Sequence, residues 1–360
     1  MNSGQHRIYS YLINEILEGR LAYNSRIEPE IELGKRLGTT RMNAHRAIKH
    51  LEKRGIVSRD RHDGTIVKRR ITASVARELR SDLAGRVGVV HSRNRYEFLH
   101  WNEALVKNLQ SELKDTGLTL EDVNMEHVST REQLKSELKR LTDSGFSAII
   151  LSLRGNEDSF FMDNADILFQ YHRNIFVYQS GAENWHELPF HTVTVNLFSE
   201  GRIAAEYLAE LGCEHIAYCS PVDDEREWSR ERWMGLEFGL RRCFDGKVEA
   251  ERWTGLENIY SQFTAEGKKH VLVGRNDKTA VDIIEFFRER GLTLGKDFCI
   301  MSFDDDVRYR DYELTTIAPP HEEIGRNLGE LISKYAGVSP DGGTTCYLKV
   351  DSRMIKRKSL

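Results

Sequence analysis

The chain has 360 residues, of which 39% are hydrophobic and 9% aromatic, and only 6 are Pro. This composition excludes a disordered or fibrous protein, and the length predicts two or three domains. The formal net charge is −4, but it is unevenly spread. Residues 1–70 hold 15 Lys+Arg against 8 Asp+Glu, a net of +7, and residues 71–360 hold 37 against 48, a net of −11. The asymmetry predicts a basic module for nucleic acid or a membrane surface, or a merely solubilising segment, joined to an acidic body.

The sequence predicts neither export nor membrane insertion. Its first 17 residues lack the apolar core and cleavage site of a secretory signal, and no stretch approaches 18 uncharged apolar residues. Five cysteines lie outside any Cys-x-x-Cys motif, at Cys213, Cys219, Cys243, Cys299 and Cys346. They predict reduced thiols in a cytoplasmic protein, and the 13 His show no metal-ligand spacing. We therefore expect no membrane partner and no metal.

The basic head has the pattern of a winged helix-turn-helix. Apolar periodicity predicts helices over 8–17, over 30–37, and from Thr39 or Thr40 to Arg54. A second helix, a turn at Gly38 and a third helix make a helix-turn-helix. Two short strands, 56–59 and 65–68, flank Asp63-Gly64 and predict a hairpin. The cations of this wing, Arg59 among them, are expected to contact phosphate.

The third helix of the head divides into two faces on a helical wheel. The apolar face, which we expect to be buried, consists of Ala44, Ala47, Ile48 and Leu51. The other face carries Met42, Arg46, Lys49 and Lys53, flanked by Arg41, Asn43 and His45. On an arbitrary helix this would be a solvated charged face. In a helix-turn-helix it would enter the major groove, where Arg can read guanine and Asn adenine.

The head resembles the GntR-family DNA-binding domain over about 65 residues. The resemblance rests on Gly19-Arg20-Leu21, Glu30-x-Glu32-Leu33, Leu37-Gly38, Thr40-Arg41-Met42, Arg46-Ala47-Ile48, Gly55 and Gly64-Thr65. It implies operator contacts from two places, the start of the third helix (the recognition helix) and the tip of the wing. The residues are Thr40, Arg41, Asn43, Arg46, His62, Gly64 and Thr65. The chain departs from the family at Ile31, where an arginine is usual, and at Tyr23-Asn24, which replaces a proline-glycine pair.

Beyond a polar linker at 71–84, short apolar runs alternate with amphipathic stretches. The runs at 87–90, 147–153, 174–178, 215–219, 270–274 and 298–303 predict strands, with helices over 102–114, 130–143, 199–211, 229–243 and 277–290. This alternation predicts an α/β architecture with parallel sheets covered on both faces. The fold class is therefore α/β with a small α+β head.

An enzymatic body is the first alternative for this region. The segment after the first strand, Val90-His91-Ser92-Arg93-Asn94-Arg95, lacks the Gly-x-Gly-x-x-Gly of a dinucleotide site. The chain also lacks a P-loop and a Gly-x-Ser-x-Gly elbow. The triplet Asp304-Asp305-Asp306 could hold a metal, but no partnering carboxylate or His spacing supports it. We predict no catalytic residues and no cofactor.

The body resembles the LacI/GalR sensor domain over 85–356. The matching segments include Gly201-Arg202, Glu210-Leu211-Gly212, Arg232-x-x-Gly235, Val273-Gly274-Arg275-Asn276-Asp277, Ser302-Phe303-Asp304-Asp305 and Leu314-Thr315-Thr316-Ile317. The resemblance implies a periplasmic-binding-protein fold, with two lobes joined by three crossing strands and a ligand cleft between them. Lobe 1 would comprise 85–195 and 315–336, and lobe 2 would comprise 196–314 and 337–356.

The resemblance also implies which residues line the cleft. Arg232, Asn276 and Asp304 match the family's ligand-binding positions, and a guanidinium, an amide and a carboxylate suit a polyhydroxylated ligand. Weaker matches place Gln179, Trp253 and either Phe98 or Trp101 there. Alternatively, Arg232 and Asp304 form a salt bridge between the lobes that only holds the fold. Asp277 is expected to cap the helix that follows it.

Together the two resemblances predict a transcriptional regulator, and more specifically a repressor, whose layout is similar to that of arabinose-responsive repressors. We expect a cytoplasmic homodimer on double-stranded operator DNA, controlled by a small effector such as a monosaccharide. The alternatives are a sugar-binding protein for transport or chemotaxis, and an α/β enzyme with a DNA-targeting head.

Overall fold

The computed structural model describes residues 3–17, 19–60, 64–72, 75, 79, 85–91, 99–114, 116, 118–144, 146–153, 159–171, 174–179, 190–222, 226–265, 270–335 and 345–360. These residues form an N-terminal head and two α/β lobes, each lobe built on a six-stranded sheet. No helix within these ranges is long and apolar enough to cross a bilayer.

Among its described residues up to Val67, the head contains three helices and a three-stranded antiparallel sheet. The helices are α1 (Ser3–Leu17), α2 (Glu30–Arg36) and α3 (Arg41–Lys53). The strands β1 (Arg26–Ile27), β2 (Val57–Asp60) and β3 (Gly64–Val67) pair in the order β1-β3-β2. The predicted helix-turn-helix and its hairpin are confirmed, and β1 is an additional strand that the sequence did not indicate.

The head's hydrophobic core is the one expected from the wheel of α3. Ala44, Ala47, Ile48 and Leu51 are all 0% exposed. Gly38 and Gly55 end α2 and α3 with φ of +61° and +69°, a left-handed conformation that glycine adopts without strain. The same core buries Val75 and Leu79. The head's packing therefore extends into the segment that the sequence suggested was a linker.

The first lobe is built on an all-parallel sheet with the strand order β14-β8-β7-β6-β4-β5. Its strands are β4 (Arg86–His91), β5 (Thr119–Val123), β6 (Phe146–Leu153), β7 (Ile175–Gln179), β8 (His191–Val195) and β14 (Tyr347–Val350). The helices before the first crossing are α4 (Leu99–Leu113), α5 (Arg131–Asp143), α6 (Ser159–Asp163) and α7 (Ala165–Tyr171). A late helix, α12 (His321–Tyr335), packs against α4.

The second lobe has the strand order β10-β9-β11-β12-β13-β15, parallel except for β15, which is antiparallel to β13. Its strands are β9 (Ile216–Ser220), β10 (Ala250–Thr254), β11 (Val271–Gly274), β12 (Cys299–Phe303), β13 (Thr315–Ala318) and β15 (Arg353–Ile355). The helices are α8 (Leu197–Glu210), α9 (Glu227–Cys243), α10 (Leu256–Ala265) and α11 (Asp277–Arg288), with a 3-10 helix at Val307–Tyr312.

The strand pairing corrects the division into lobes that was inferred from the sequence. The segment Thr315–Ala318, expected in the first lobe, pairs with β12 in the second. Conversely Tyr347–Val350, expected in the second lobe, pairs with β8 in the first. Within the described residues the chain thus passes between the sheets after β8, after β13 and between β14 and β15. An apolar strand has the same pattern in either sheet, so only the pairing reveals where it belongs.

Candidate DNA-binding face and ligand site

The N-terminus of α3 is fixed by the side chains that precede and open it. Thr40 is the N-cap, and its side chain accepts a hydrogen bond from the Asn43 backbone N–H at 3.3 Å. The Asn43 side-chain amide donates to the Thr39 hydroxyl at 2.9 Å. Two of the residues predicted to contact the operator therefore also stabilise the first turn of the helix.

The outer face of α3 is exposed and basic, as predicted. Met42 is 57% exposed, and the side chains of Arg46, Lys49 and Lys53 also face solvent. Arg41 lies 3.7 Å from the Glu30 carboxylate but is 71% exposed. Among the described residues, no hydrogen bond or ion pair engages the guanidinium of Arg46. The face can thus meet phosphate or base edges without first breaking internal contacts at its centre.

The wing contributes less free charge than the sequence suggested. Arg59 lies 3.3 Å from Glu30 and 3.5 Å from Glu52, and it donates to the His45 carbonyl. This arginine, expected on a phosphate, instead joins β2 to α2 and α3, because its position in β2 lies beside two carboxylates. Gly64 and Thr65 lie at the start of β3. His62 lies outside the described residues.

The predicted ligand residues of the second lobe meet at the carboxyl ends of its parallel strands. Asn276 follows β11, Asp304 follows β12, and Arg232 reaches them from α9. The Arg232 guanidinium donates to Asp304 Oδ1 at 2.8 Å and to the Arg275 carbonyl at 2.9 Å. The Arg232–Asp304 contact lies within one lobe, so the alternative of a salt bridge between the lobes is wrong.

A third partner of Arg232 was not anticipated from the sequence. Glu200 on α8 is 0% exposed and accepts from Arg232 Nε at 2.7 Å. Burial raises the pKa of the Glu200 carboxyl, against the opposing effect of the Arg232 charge. Although burial disfavours the charged guanidinium, Glu200 and Asp304 raise the pKa of Arg232. A carboxylate on the apolar face of a predicted helix was the available signal, since Glu200 shares that face with Ala204.

Asp304 is held in an unusual backbone conformation. Its φ is +110°, a region that favours glycine and costs a residue with a side chain roughly 1–3 kcal/mol. Its backbone N–H donates to the Ile317 carbonyl at 2.9 Å, which fixes the turn to β13. The side chain remains 21% exposed. Strain of this kind is typical of positions where the surrounding structure holds a side chain in place for binding.

The helix cap after β11 differs from the prediction. Asn276, not Asp277, is the N-cap of α11, and its side-chain oxygen accepts from the Thr279 N–H at 2.9 Å. Asp277 is 2% exposed and accepts from Ser302, Thr316 and the Asp306 backbone N–H. The expectation that Asp277 would cap is therefore wrong, because its side chain points inward to join β12 and β13.

The acidic triplet after β12 does not converge on a single point. Asp304 pairs with Arg232, Asp305 with Arg357 at 2.5 Å, and Asp306 with Arg308 at 2.5 Å. Across the described ranges, no group of three or more His, Cys, Asp and Glu side chains is arranged to hold a metal ion. Each of the three carboxylates forms an ion pair with a different arginine.

Of the residues that weaker matches placed in the ligand cleft, Trp253 has a side chain that the structure describes. Trp253 is 3% exposed and belongs to the hydrophobic cluster beneath α10 and α11. The Arg232 guanidinium lies over the ring of Phe303, which belongs to the cluster on the opposite face of the sheet. The structure thus separates Trp253 from Arg232. Phe98 lies outside the described residues. Gln179 ends β7, and its side chain is likewise not described.

Trp228 is an aromatic residue at this site that sequence reasoning missed. It lies in the first turn of α9, and its ring faces the guanidinium groups of Arg232 and Arg275 at 5.2 and 5.1 Å. The same side chain packs against the core cluster of the first lobe. Its position four residues before Arg232, on the same face of a helix, was the signal that could have revealed it.

Comparisons with known proteins agree with this architecture. The gntR family of bacterial regulatory proteins matches residues 5–67, and the periplasmic binding protein-like domain matches residues 205–360. An arabinose metabolism transcriptional repressor of Geobacillus stearothermophilus is 22% identical over 339 residues, which cover 89% of this chain and 88% of that protein.

Two solved structures show the same fold. The lac repressor dimer bound to operator and the anti-inducer ONPF is 21% identical with a TM-score of 0.54, and the match covers 81% of this chain and 99% of that one. A periplasmic binding protein/LacI transcriptional regulator from Alkaliphilus metalliredigens QYMF, complexed with D-xylulofuranose, is 20% identical with a TM-score of 0.53. That match covers 76% of this chain and 98% of the other. The present chain is thus a transcriptional regulator, not an enzyme, in which a GntR-family DNA-binding head is joined to a periplasmic-binding-protein-like domain.

Proposed function

We propose that this regulator is a cytoplasmic repressor that binds a palindromic operator as a homodimer and responds to a monosaccharide or a related polyol. The effector would contact Arg232, Asn276 and Asp304, and the operator would contact the α3 face centred on Arg46. Two-fold symmetry would set the half-sites about one helical turn, ~34–36 Å, or a multiple of it apart.

The observation that carries the proposal is the mixed polarity at the carboxyl ends of β11 and β12. The side-chain oxygen of Asn276 is used by Thr279. Its amide nitrogen makes no hydrogen bond to the other described residues and is available as a donor. Asp304 offers a partly exposed carboxylate beside it. A sugar hydroxyl both donates and accepts, so adjacent donors and acceptors of this kind suit a polyol.

The relatives support a sugar as the effector class. The similar protein of Geobacillus stearothermophilus is named for arabinose metabolism, and the similar structure from Alkaliphilus metalliredigens holds D-xylulofuranose. Both names point to five-carbon sugars. Pentoses are therefore the first compounds to test, followed by hexoses and open-chain polyols.

A ligand can regulate the operator complex only if it favours one arrangement of the lobes over another. Trp228 provides a contact between the lobes that such a ligand would alter, because it extends from α9 to the first lobe's core. Closure around a ligand at Arg232 would change the first lobe's orientation, and with it the separation of the two heads in a dimer.

A thermal-shift screen followed by an operator assay tests the proposal. A ligand at 100 times its Kd raises stability by about 2.7 kcal/mol, which is readily visible. DNA selected in vitro from a random library supplies the operator, and fluorescence anisotropy then measures its affinity with and without each stabilising sugar. Release of DNA by a sugar supports the proposal. A sugar that tightens the complex would indicate co-repression, and stabilisation without selected DNA binding would favour a sugar-binding protein of another class.

A further inference from the structure

Glu200 occupies an unusual position for a carboxylate. It is fully buried in the first turn of α8, directly after the chain first passes between the lobes. One oxygen accepts from Arg232 at 2.7 Å, and the other accepts from the Ser352 hydroxyl at 2.5 Å. Ser352 lies in the third passage between the lobes, between β14 and β15. The carboxylate therefore connects a ligand-site arginine to two of the three crossing segments.

The two crossing segments are joined by further hydrogen bonds. The Asn196 side chain donates to Asp351 at 2.8 Å, and the Asn196 backbone N–H donates to the Val350 carbonyl at 2.9 Å. Glu200 is thus held between the two crossing segments, and its hydrogen bond fixes the orientation of the Arg232 guanidinium. Since Arg232 is itself 4% exposed, its guanidinium has little freedom to turn toward a different partner.

Two carboxylates pair with the Arg232 guanidinium, that of Glu200 and that of Asp304. Buried charges are stable only when they are compensated. Removal of the Glu200 charge would leave Arg232 paired with Asp304 alone and make its surroundings one unit more positive, which would favour an anionic ligand such as a sugar phosphate. With Glu200 ionised, an anionic ligand would approach two carboxylates that already satisfy the arginine.

We infer that Glu200 is a positioning residue that compensates Arg232 and makes the ligand site select an uncharged sugar or polyol over its phosphorylated or carboxylated counterpart. This inference rests on the proposed function, because it concerns the ligand that binds at Arg232. It extends that function by proposing that Glu200, which does not contact the ligand, determines the preference for a neutral over an anionic ligand.

The test compares matched neutral and anionic sugars in a charge-only variant. Glu200→Gln keeps the shape of the side chain and a hydrogen-bond acceptor but removes the negative charge. Calorimetry would measure Kd for D-arabinose against D-arabinose 5-phosphate, and for D-ribose against D-ribose 5-phosphate. Wild type should prefer the neutral member of a pair. In Glu200→Gln the ratio of the Kd of the phosphate to the Kd of the neutral sugar should fall by at least about tenfold. This is the effect expected of one unit charge in a partly buried site.

The control is Glu206→Gln, which removes the same charge from a partly exposed pair with Arg202 on the same helix. It should leave the ratio unchanged. If Glu200→Gln does not fold, Asp304→Asn makes the same charge change at a partly exposed side chain and should shift the ratio in the same direction.

The outcomes separate this inference from the proposed function. A wild-type protein that binds the phosphates more tightly, or a Glu200→Gln ratio that matches wild type, overturns the role of Glu200 while leaving a sugar effector in place. Failure of wild type to bind any of these sugars and any other monosaccharide or polyol overturns both.

Discussion

The buried carboxyl of Asp277 should make the second lobe less stable as the pH rises toward neutrality. Burial, together with the nearby charge of Asp304, raises the pKa of Asp277 to about 7 from its ordinary value of 3.8. Between these two pH values the folded protein holds a proton that the unfolded chain has released. Stability therefore falls as the pH rises through this window and levels off above pH 7.

The size of the effect follows from the shift. About three pKa units correspond to about 4 kcal/mol, at 1.36 kcal/mol per unit. Asp277→Asn imitates the protonated form, because its amide can donate to the hydroxyls of Ser302 and Thr316 while its oxygen accepts from the Asp306 N–H. The variant should gain up to about 4 kcal/mol over wild type at pH 8 and nothing at pH 4.

Chemical unfolding of both proteins between pH 4 and pH 8 measures this difference. The matched control is Asp282→Asn on the same helix, where the carboxylate forms an exposed pair with Lys278. Exposed pairs contribute under about 1 kcal/mol, so the control should follow the wild-type curve. A constant difference between Asp277→Asn and wild type across the whole pH range would refute the reasoning, since it would show that Asp277 does not titrate in the folded protein.

Three further substitutions test the head, the ligand site and the helix pair of the second lobe. Arg46→Ala should weaken binding to the selected operator by about 10- to 100-fold and leave sugar binding intact, and loss of both or of neither would contradict its place on the DNA-binding face. Asp304→Ala should abolish the effect of the sugar on DNA binding while the DNA affinity itself survives, and undiminished sugar affinity by calorimetry would remove Asp304 from the site. Gly235→Ala places a methyl group 2.0 Å from a backbone carbonyl of α8 and should cost about 3 kcal/mol or more, measured by thermal unfolding. By contrast the nearest contact of Gly239→Ala is the methyl group of Ala205, at 2.5 Å, while the Arg202 carbonyl lies farther away at 3.2 Å. Also changing Ala205→Gly should therefore restore most of the loss, and equal damage in both glycine variants would contradict this packing.

The sequence predicted the strands that are continuous apolar runs. It missed strands at the edges of sheets and also two buried strands that contain threonine, β8 and β13. Strands β6 and β9 are continuous apolar runs, and both were expected within one or two residues of their ends. Strands β5, β10 and β14 lie at sheet edges and expose charged or polar side chains, so no apolar run marks them. Pairing with a neighbour, rather than local composition, makes these segments strands.

The resemblance brought together the candidate ligand residues Arg232, Asn276 and Asp304, but it did not reveal the network around them. Arg232 and Asp304 were found through resemblance and do form an ion pair. Their buried partner Glu200 belongs to a helix that touches the site only after folding, so its role depends on tertiary packing. The motif glycines illustrate the same point, since Gly201 and Gly235 allow α8 and α9 to approach within backbone contact and thereby bring Glu200 to Arg232.

The packing of the head shortens the connection through which a ligand signal must travel. Because Leu79 is buried in the head's core, only residues 80–84 separate it from the described start of the first lobe at Gly85. Six peptide steps span at most about 20 Å, so the head cannot move independently of the first lobe over larger distances. Arg232 lies in the second lobe, and its network through Glu200 ends on the segments that cross into the first. A ligand bound at Arg232 would therefore act beside the segments that connect the lobes, and the short connection limits how far the head can move from the first lobe.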